Sequence, residues 1–281
     1  YLGTSTSKYS RSVCRDEWRQ LLEARATAGV PLVIGSCGTC GTAETVDWMF
    51  AITCELAAEL GQTLRVARLY SDVPIETLRV ARDSGRISPL HPAQTIDDAA
   101  LEAMTNIVAL AGAEQIQAAI HTGADVVLAG RATDTATIAA LPLARGAHSG
   151  AAWHGAKIAE CGAFCTTRPA SGVVMVTFDE AGFTVTPMGE GARCTPQSVA
   201  AHMLYENSDP WILYEPGGHL DVTAATYTEA AQEGVRVVGA VWVAAGDYRV
   251  KLEGARLVGY QTMMLAVIRD PRYVEAVADW A

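Results

Sequence analysis

No run of apolar residues approaches the roughly 18 needed to span a bilayer, and no basic-then-apolar leader opens the 281-residue chain. Neither a membrane partner nor a secretory route is expected. Basic runs are missing too: 21 Lys plus Arg stand against 31 Asp plus Glu, a net charge of −10. Nucleic-acid binders draw much of their affinity from neutralising phosphates, so that partner class is not expected. The seven cysteines are odd in number and lack the short, even spacing of a secreted disulfide scaffold, which points to a reducing, cytoplasmic compartment. Also absent are a Gly-x-Ser-x-Gly elbow, a His-Glu-x-x-His helix and the kinase signature set, so the common hydrolase templates do not apply.

What is present is half hydrophobic, enough for one large or two ordinary domains with a substantial core. The first half alternates strand and helix signals. "VPLVIGS" is a buried strand, and residues 43–60 place Val46, Met49, Phe50, Thr53, Ala57 and Leu60 on one helical face. "TLRVARLY" alternates as a strand, "PIETLRVARDSG" is a helix opened by Pro74 and closed by Gly85, and "NIVAL" is a further strand. "GAEQIQAAIHTGADVVLAGRATDTATIAAL" repeats the theme, with Gly123 stopping a helix before the strand "VVLAG". Such alternation predicts parallel strands linked by crossover helices.

After about residue 150 the pattern changes. "GVVMVTF" and "FTVTPM" flank the turn "DEAG", and "HLDVTAATY" and "VRVVGAVWV" flank "TEAAQEG", two hairpin signals. Between them, "TPQSVAAHMLYENSDP" predicts a helix capped by Thr195, with Pro196 in its first turn and Asp209-Pro210 as its stop. The fold class is therefore α/β, with a parallel-sheet part over 1–150 and an antiparallel-rich α+β part over 151–281. With no low-complexity linker and no internal repeat between them, the two parts are expected to form one continuous unit.

Four stretches could carry chemistry. In "GSCGTCG" a glycine-rich turn leads from a strand into a helix, aiming backbone N–H groups and the positive helix end at one spot. It matches neither the P-loop nor the G-x-G-x-x-G fingerprint. A tight packing turn, an anion site around Gly38, Thr39 and Gly41, and a redox or zinc role for Cys37 and Cys40 with Cys161 and Cys165 all remain open. In "AGRATDTA", Arg131 stands at a strand mouth as a carboxylate or phosphate clamp, unless it pairs locally with Asp134, and Thr133 or Asp134 caps the next helix. Both turns are expected to face one crevice at the carboxyl ends of the strands. "WHGAKIAECGAFC" is dense in titratable groups: a surface pair between Lys157 and Glu160 is one reading, and an acid/base role for Glu160 beside Cys161 the other. In "GEGARCTPQS", Glu190 and Arg193 precede a helix start able to receive an anion, while His202 further along is expected to pack.

Taken in order, "GSCGTCG", "GRATDTA", "ECGAFC", "PMGEGARCTPQSVAAHMLYENSDP", "HLDVT" and "KLEGARLVGYQT" resemble the acyclic terpene utilisation AtuA family over essentially the whole chain. The resemblance carries over Gly38, Thr39, Gly41, Gly130, Arg131, Asp134, Glu160, Cys161, Gly162, Tyr205, Glu206, Asp209 and Asp221. Members accompany enzymes that degrade terpenoid acids as acyl-CoA thioesters, so it implies a catabolic role. Relatives generally have small residues where this chain has Cys37 and Cys40, which counts against redox or zinc chemistry. They often have His where this chain has Lys157. They also carry a Gly- and Asp-rich segment upstream of "YLGTS", so the chain is expected to be a fragment lacking its true N-terminus. The resulting expectation is a lyase, hydratase or isomerase acting on a carboxylated or CoA-linked acyl substrate. Asp134, Glu160 and Cys161 are its candidate catalytic residues; Gly38, Thr39, Gly41, Arg131, Glu190 and Arg193 would bind substrate. No metal and no cofactor are expected, and a homo-oligomer is compatible. A non-catalytic acyl-CoA or acid-binding subunit partnering a carboxylase, and a thiol- or zinc-dependent enzyme, are the alternatives.

Overall fold

The computed structural model describes residues 1–90, 95–170 and 172–279. Helix α1 (Arg11–Ala28) opens on Ser10, whose hydroxyl accepts from Val13 N, and closes on Gly29 in the left-handed region. The alternation then runs β1 (Leu32–Ile34), α2 (Ala43–Glu59), β2 (Val66–Leu69), α3 (Ile75–Asp83), α4 (Asp98–Glu102), β3 (Met104–Ala109), α5 (Ala113–His121), β4 (Val126–Ala129) and α6 (Asp134–Ala144). Strands β1, β4 and β2 form a parallel sheet in that order, with Val126 opposite both Leu32 and Val66. Central β4 is buried along its whole length. A strand covered on both faces has no polar side, hence its unbroken apolar run.

On one side of this sheet, Trp18 and Leu22 of α1 and Val46, Met49, Ile52 and Leu56 of α2 pack with Val126 and Leu128. The buried stripe of α2 keeps the expected Val46, Met49 and Thr53, but it also takes Thr45, Ile52 and Leu56 and leaves Phe50, Ala57 and Leu60 at its margin. The physical reason is α1, which packs on that flank: Trp18 donates to Thr53 Oγ1 at 2.8 Å. On the other side, Ala113 and Ile116 of α5 and Ala136, Ala139 and Ala140 of α6 share one core with Trp153, Met203, Leu220 and Val222. Strand β3 departs from the expected parallel arrangement. It pairs antiparallel with β12 (Leu252–Arg256), and its Val108 forms an antiparallel bridge with Asp72 just past β2, while Ala111, beyond its end, bridges Ala132 in parallel.

The second half begins with α7 (Ser149–Ala159), buried from Gly150 to Ile158. Small residues let it lie close to its neighbours: a Cβ on Gly150 would meet Ala240 O at 2.1 Å, and one on Gly155 would meet the Phe178 ring at 2.6 Å. Next come β5 (Val174–Phe178), β6 (Gly182–Pro187), α8 (Pro196–Ala201), β7 (Ile212–Glu215), β8 (Gly218–Asp221), β9 (Thr226–Ala230), β10 (Gly234–Val238) and β11 (Val241–Ala244); after β12 comes α9 (Pro271–Glu275). The antiparallel sheets have the orders β5-β6-β10-β9 and β11-β8-β7. The "DEAG" hairpin forms as β5–β6. The second expected hairpin breaks midway, so that β9–β10 joins one sheet and β8–β11 the other. Gly239 sits at that break with φ 91°, and a Cβ there would meet Ala224 O at 2.5 Å.

The helix after Thr195 is shorter than its pattern predicts. It ends at Ala201, continues as a 3₁₀ turn over His202–Leu204, and turns away at Glu206, whose φ is +50°. Asp209 does not stop a helix. Its carboxylate accepts from Trp211 N at 2.8 Å and Ile212 N at 3.1 Å, a local turn that starts β7. Among the described residues no helix is long and apolar enough to cross a membrane.

Candidate functional site

The turns after β1 and β4 are bonded directly to each other. Ser36 N donates to Gly130 O and Cys37 N to Ala129 O, both at 3.0 Å, and Arg131 N returns a bond to Gly41 O at 3.0 Å. Gly41 (φ +64°) is the contact point, where a Cβ would lie 2.3 Å from Arg131 N. Its own N–H donates to Cys37 O, and Thr39 N donates to Ser36 O. The N–H groups of Thr39 and Gly41 are therefore spent inside the turn, which corrects the expectation that the Gly41 N–H faces a ligand. Gly38 (φ +64°) packs on Thr45. The start of α2 does receive a carboxylate, but from the protein itself: Ala43 N donates to Asp72 Oδ2 at 2.7 Å.

The four cysteines of the thiol or zinc alternative do not come together. Cys37 lies in the core beneath α1 and α2, where burial pushes its thiol up to about 12. Cys40 is buried among Thr42 and Thr45. Cys165 belongs to the core of the antiparallel half, and Cys161 is exposed. Among the described residues no three His, Cys, Asp or Glu side chains are grouped as metal ligands would be.

Arg131 makes a long-range pair rather than a local one. Its Nε donates to Glu253 Oε2 of β12 at 2.8 Å and its Nη1 to Ser36 Oγ at 3.1 Å; Lys251 also reaches Glu253, at 2.9 Å. Thr133 caps α6, its hydroxyl accepting from Ala136 N and donating to Glu215 Oε2 at 2.5 Å. Asp134 begins α6, and its pKa is raised by burial of the carboxyl and then by the Glu160 charge.

Lys157 and Glu160 form the centre of the cluster. The pair is buried, not superficial: Lys157 has 2% of its side chain exposed and Glu160 10%, with Nζ and Oε2 2.9 Å apart. Lys157 sits there because α7 is enclosed on all sides, and its ammonium finds the end of the helix and the Tyr205 carbonyl, 2.6 Å away. Thr135 donates to the same Glu160 oxygen at 3.3 Å. His202, the expected packing residue, holds this corner together. Its Nε2 donates to Glu160 O at 2.7 Å, its ring stacks on Tyr205, and its pKa is lowered by burial. Tyr205 in turn donates to Cys161 Sγ at 3.3 Å. Cys161 (φ +47°) and Glu206 (φ +50°) both hold left-handed backbone beside the cluster, a strain that recurs at functional sites. His154 points away from it, into the antiparallel core against Tyr227, where burial lowers its pKa to about 3.

Glu215 is the residue that sequence reasoning missed. It ends β7 before Pro216-Gly217, and burial, opposed by the Thr133 and Thr135 hydroxyls and reinforced by the Glu160 charge, raises it to about 7. An acidic residue at a strand end before "PGG" was the available signal. Glu190 and Arg193 lie elsewhere. Glu190 is exposed in its turn, and Arg193 pairs with Glu233 at 2.5 Å. The helix start they precede is closed by its own Thr195 and Ser198, each side chain accepting from the other's N–H at 3.0 Å, so it does not await an anion.

The residues that do converge, Asp134, Glu160, Cys161 and Tyr205, come from three of the motifs that resemble one family. No curated protein and no solved structure matches the chain significantly. A family model does match, over residues 3–280, and its description is acyclic terpene utilisation family protein AtuA; the chain belongs to that family.

Proposed function

We propose that the protein is a cytoplasmic catabolic enzyme of the lyase, hydratase or isomerase type, acting on a carboxylated or CoA-linked acyl substrate at the Asp134–Glu160–Glu215 cluster. The observation that carries this reading is Glu215, a carboxyl poised at about 7 and bonded to Thr133, beside a fixed ion pair. A group that gives and takes a proton near neutral pH is what α-proton transfer or water addition requires. Glu160 is anchored by Lys157 and Thr135, so we assign it the role of standing charge that tunes its neighbours, and Glu215 with Asp134 the proton transfer. The guanidinium of Arg131, held between Glu253 and Ser36, orients the acid group of the substrate.

The test is a thermal-shift screen of dicarboxylic acids and terpenoid acyl-CoA thioesters, followed by turnover assays of the hits. Bound ligand raises the melting temperature by mass action. Glu215→Gln should lower kcat by about 10²–10⁴-fold with no loss of melting temperature. Unchanged kcat would refute the assignment, and turnover only in a mixture with a carboxylase would favour the binding-subunit alternative.

A further inference from the structure

We propose that Cys165 and Cys194 are a redox-responsive pair whose disulfide fastens together the two segments walling the candidate site. Their sulfurs lie 4.0 Å apart, and both side chains are buried in the core built on Ile158, Phe183 and Val199. The backbones are already side by side. Thr166 and Cys194 form an antiparallel bridge, Thr167 N donates to Arg193 O at 2.9 Å, and Ser198 Oγ donates to Cys165 O at 2.6 Å. Closing to the bonded distance of about 2.0 Å brings together two sulfurs whose backbones are already hydrogen-bonded neighbours.

The position gives the bond a consequence. Cys165 ends the short 3₁₀ turn that begins directly after Glu160 and Cys161, while Cys194 precedes the cap of α8, which leads to His202 and Tyr205. Those two residues hold Glu160, Cys161 and Lys157. A Cys165–Cys194 bond would lock one wall to the other.

The chemistry balances with a small-molecule disulfide as oxidant. Either sulfur of the pair can donate to the other; with Cys165 as the donor, the Cys194 thiolate is the one favoured. It attacks one sulfur of the oxidant and releases the first small thiol. Cys165 then loses its proton and attacks the Cys194 sulfur of the mixed disulfide, releasing the second. Two electrons pass from the protein pair to the oxidant, whose own S–S bond is broken.

The experiment treats the native chain with 4,4′-dithiodipyridine, alkylates the remaining thiols and maps peptides without reduction. The expected result is a peptide pair joined through Cys165 and Cys194, together with a melting temperature several degrees higher that dithiothreitol reverses, because the bond closes a 29-residue separation. Cys194→Ala should lose both the linked peptide and the shift, and Cys54→Ala should keep both. Linkage of other cysteines instead, linkage appearing only in urea, or a shift that persists in Cys194→Ala would each overturn the proposal. The wild-type peptide map decides the matter even if Cys194→Ala fails to fold.

Discussion

Lys157 in the last turn of α7 and Glu160 just past its end form an ion pair of 2.9 Å from which solvent is almost wholly excluded. Burying two charges is tolerable only while each satisfies the other, so the pair is more costly to break than to replace. Lys157→Met should destabilise the fold by about 3–5 kcal/mol, because it strands the Glu160 carboxylate. The double variant Lys157→Met, Glu160→Leu should recover much of that loss. Urea unfolding of the two single variants and the double forms the cycle, and additive losses would contradict the pairing.

Glu215 makes stability depend on pH in a direction opposite to most carboxylates. Its pKa rises from an ordinary 4.5 to about 7 on folding, so between those values the folded state holds a proton that the unfolded chain has lost. The contribution is complete at acid pH and disappears as pH climbs through 7. Glu215→Gln, which stays neutral, should therefore match the wild type near pH 4, become progressively more stable than it between about pH 4.5 and 7, and hold a constant advantage above that, on the order of 3 kcal/mol at most. Unfolding curves at a series of pH values measure the divergence.

Gly41 and Gly29 share a φ of +64° but not their surroundings: the first abuts the Arg131 backbone, the second has nothing within 4 Å. Gly29→Ala should cost about 1 kcal/mol, the strain of left-handed backbone alone. Gly41→Ala must also part the turns after β1 and β4 and should cost more than about 3 kcal/mol. Similar melting temperatures for the two variants would mean that the turns separate easily.

Cys37 and Cys40 are predicted to be dispensable for chemistry. The Cys37 thiol, raised to about 12 by burial, is not a nucleophile at neutral pH, and Cys40 is buried against the Thr42 and Thr45 hydroxyls. Replacing both by Ala should leave turnover unchanged and cost no more than about 2 kcal/mol, read from kcat and chemical denaturation together. A large fall in kcat at unchanged stability would revive the thiol alternative.

The amino-acid sequence by itself determined the order and type of the elements around β4, the "DEAG" hairpin, the cap at Thr195 and the family. Each depends on patterns that repeat over a few residues: an apolar run long enough for one buried strand, a glycine where the chain must turn left-handed, a hydroxyl before a helix. The same patterns placed Asp134, Glu160 and Cys161 at strand and helix ends, where chemistry tends to sit.

What only the tertiary structure decided is who meets whom. Arg131 bonds Glu253, 122 positions away, Thr133 bonds Glu215, 82 away, and Lys157 bonds Tyr205, 48 away. No local pattern encodes such pairs, because each follows from the docking of separate elements. Strand β3 carries an ordinary strand signal, yet its partner is β12 from the far end of the chain. Lys157 and Glu160 have the spacing of any surface pair on a helix. Enclosure of α7 by α6 and both antiparallel sheets turned that pair into a buried one, and burial of the neighbouring carboxyls of Asp134 and Glu215 raised their pKa values, with the Glu160 charge adding to the effect.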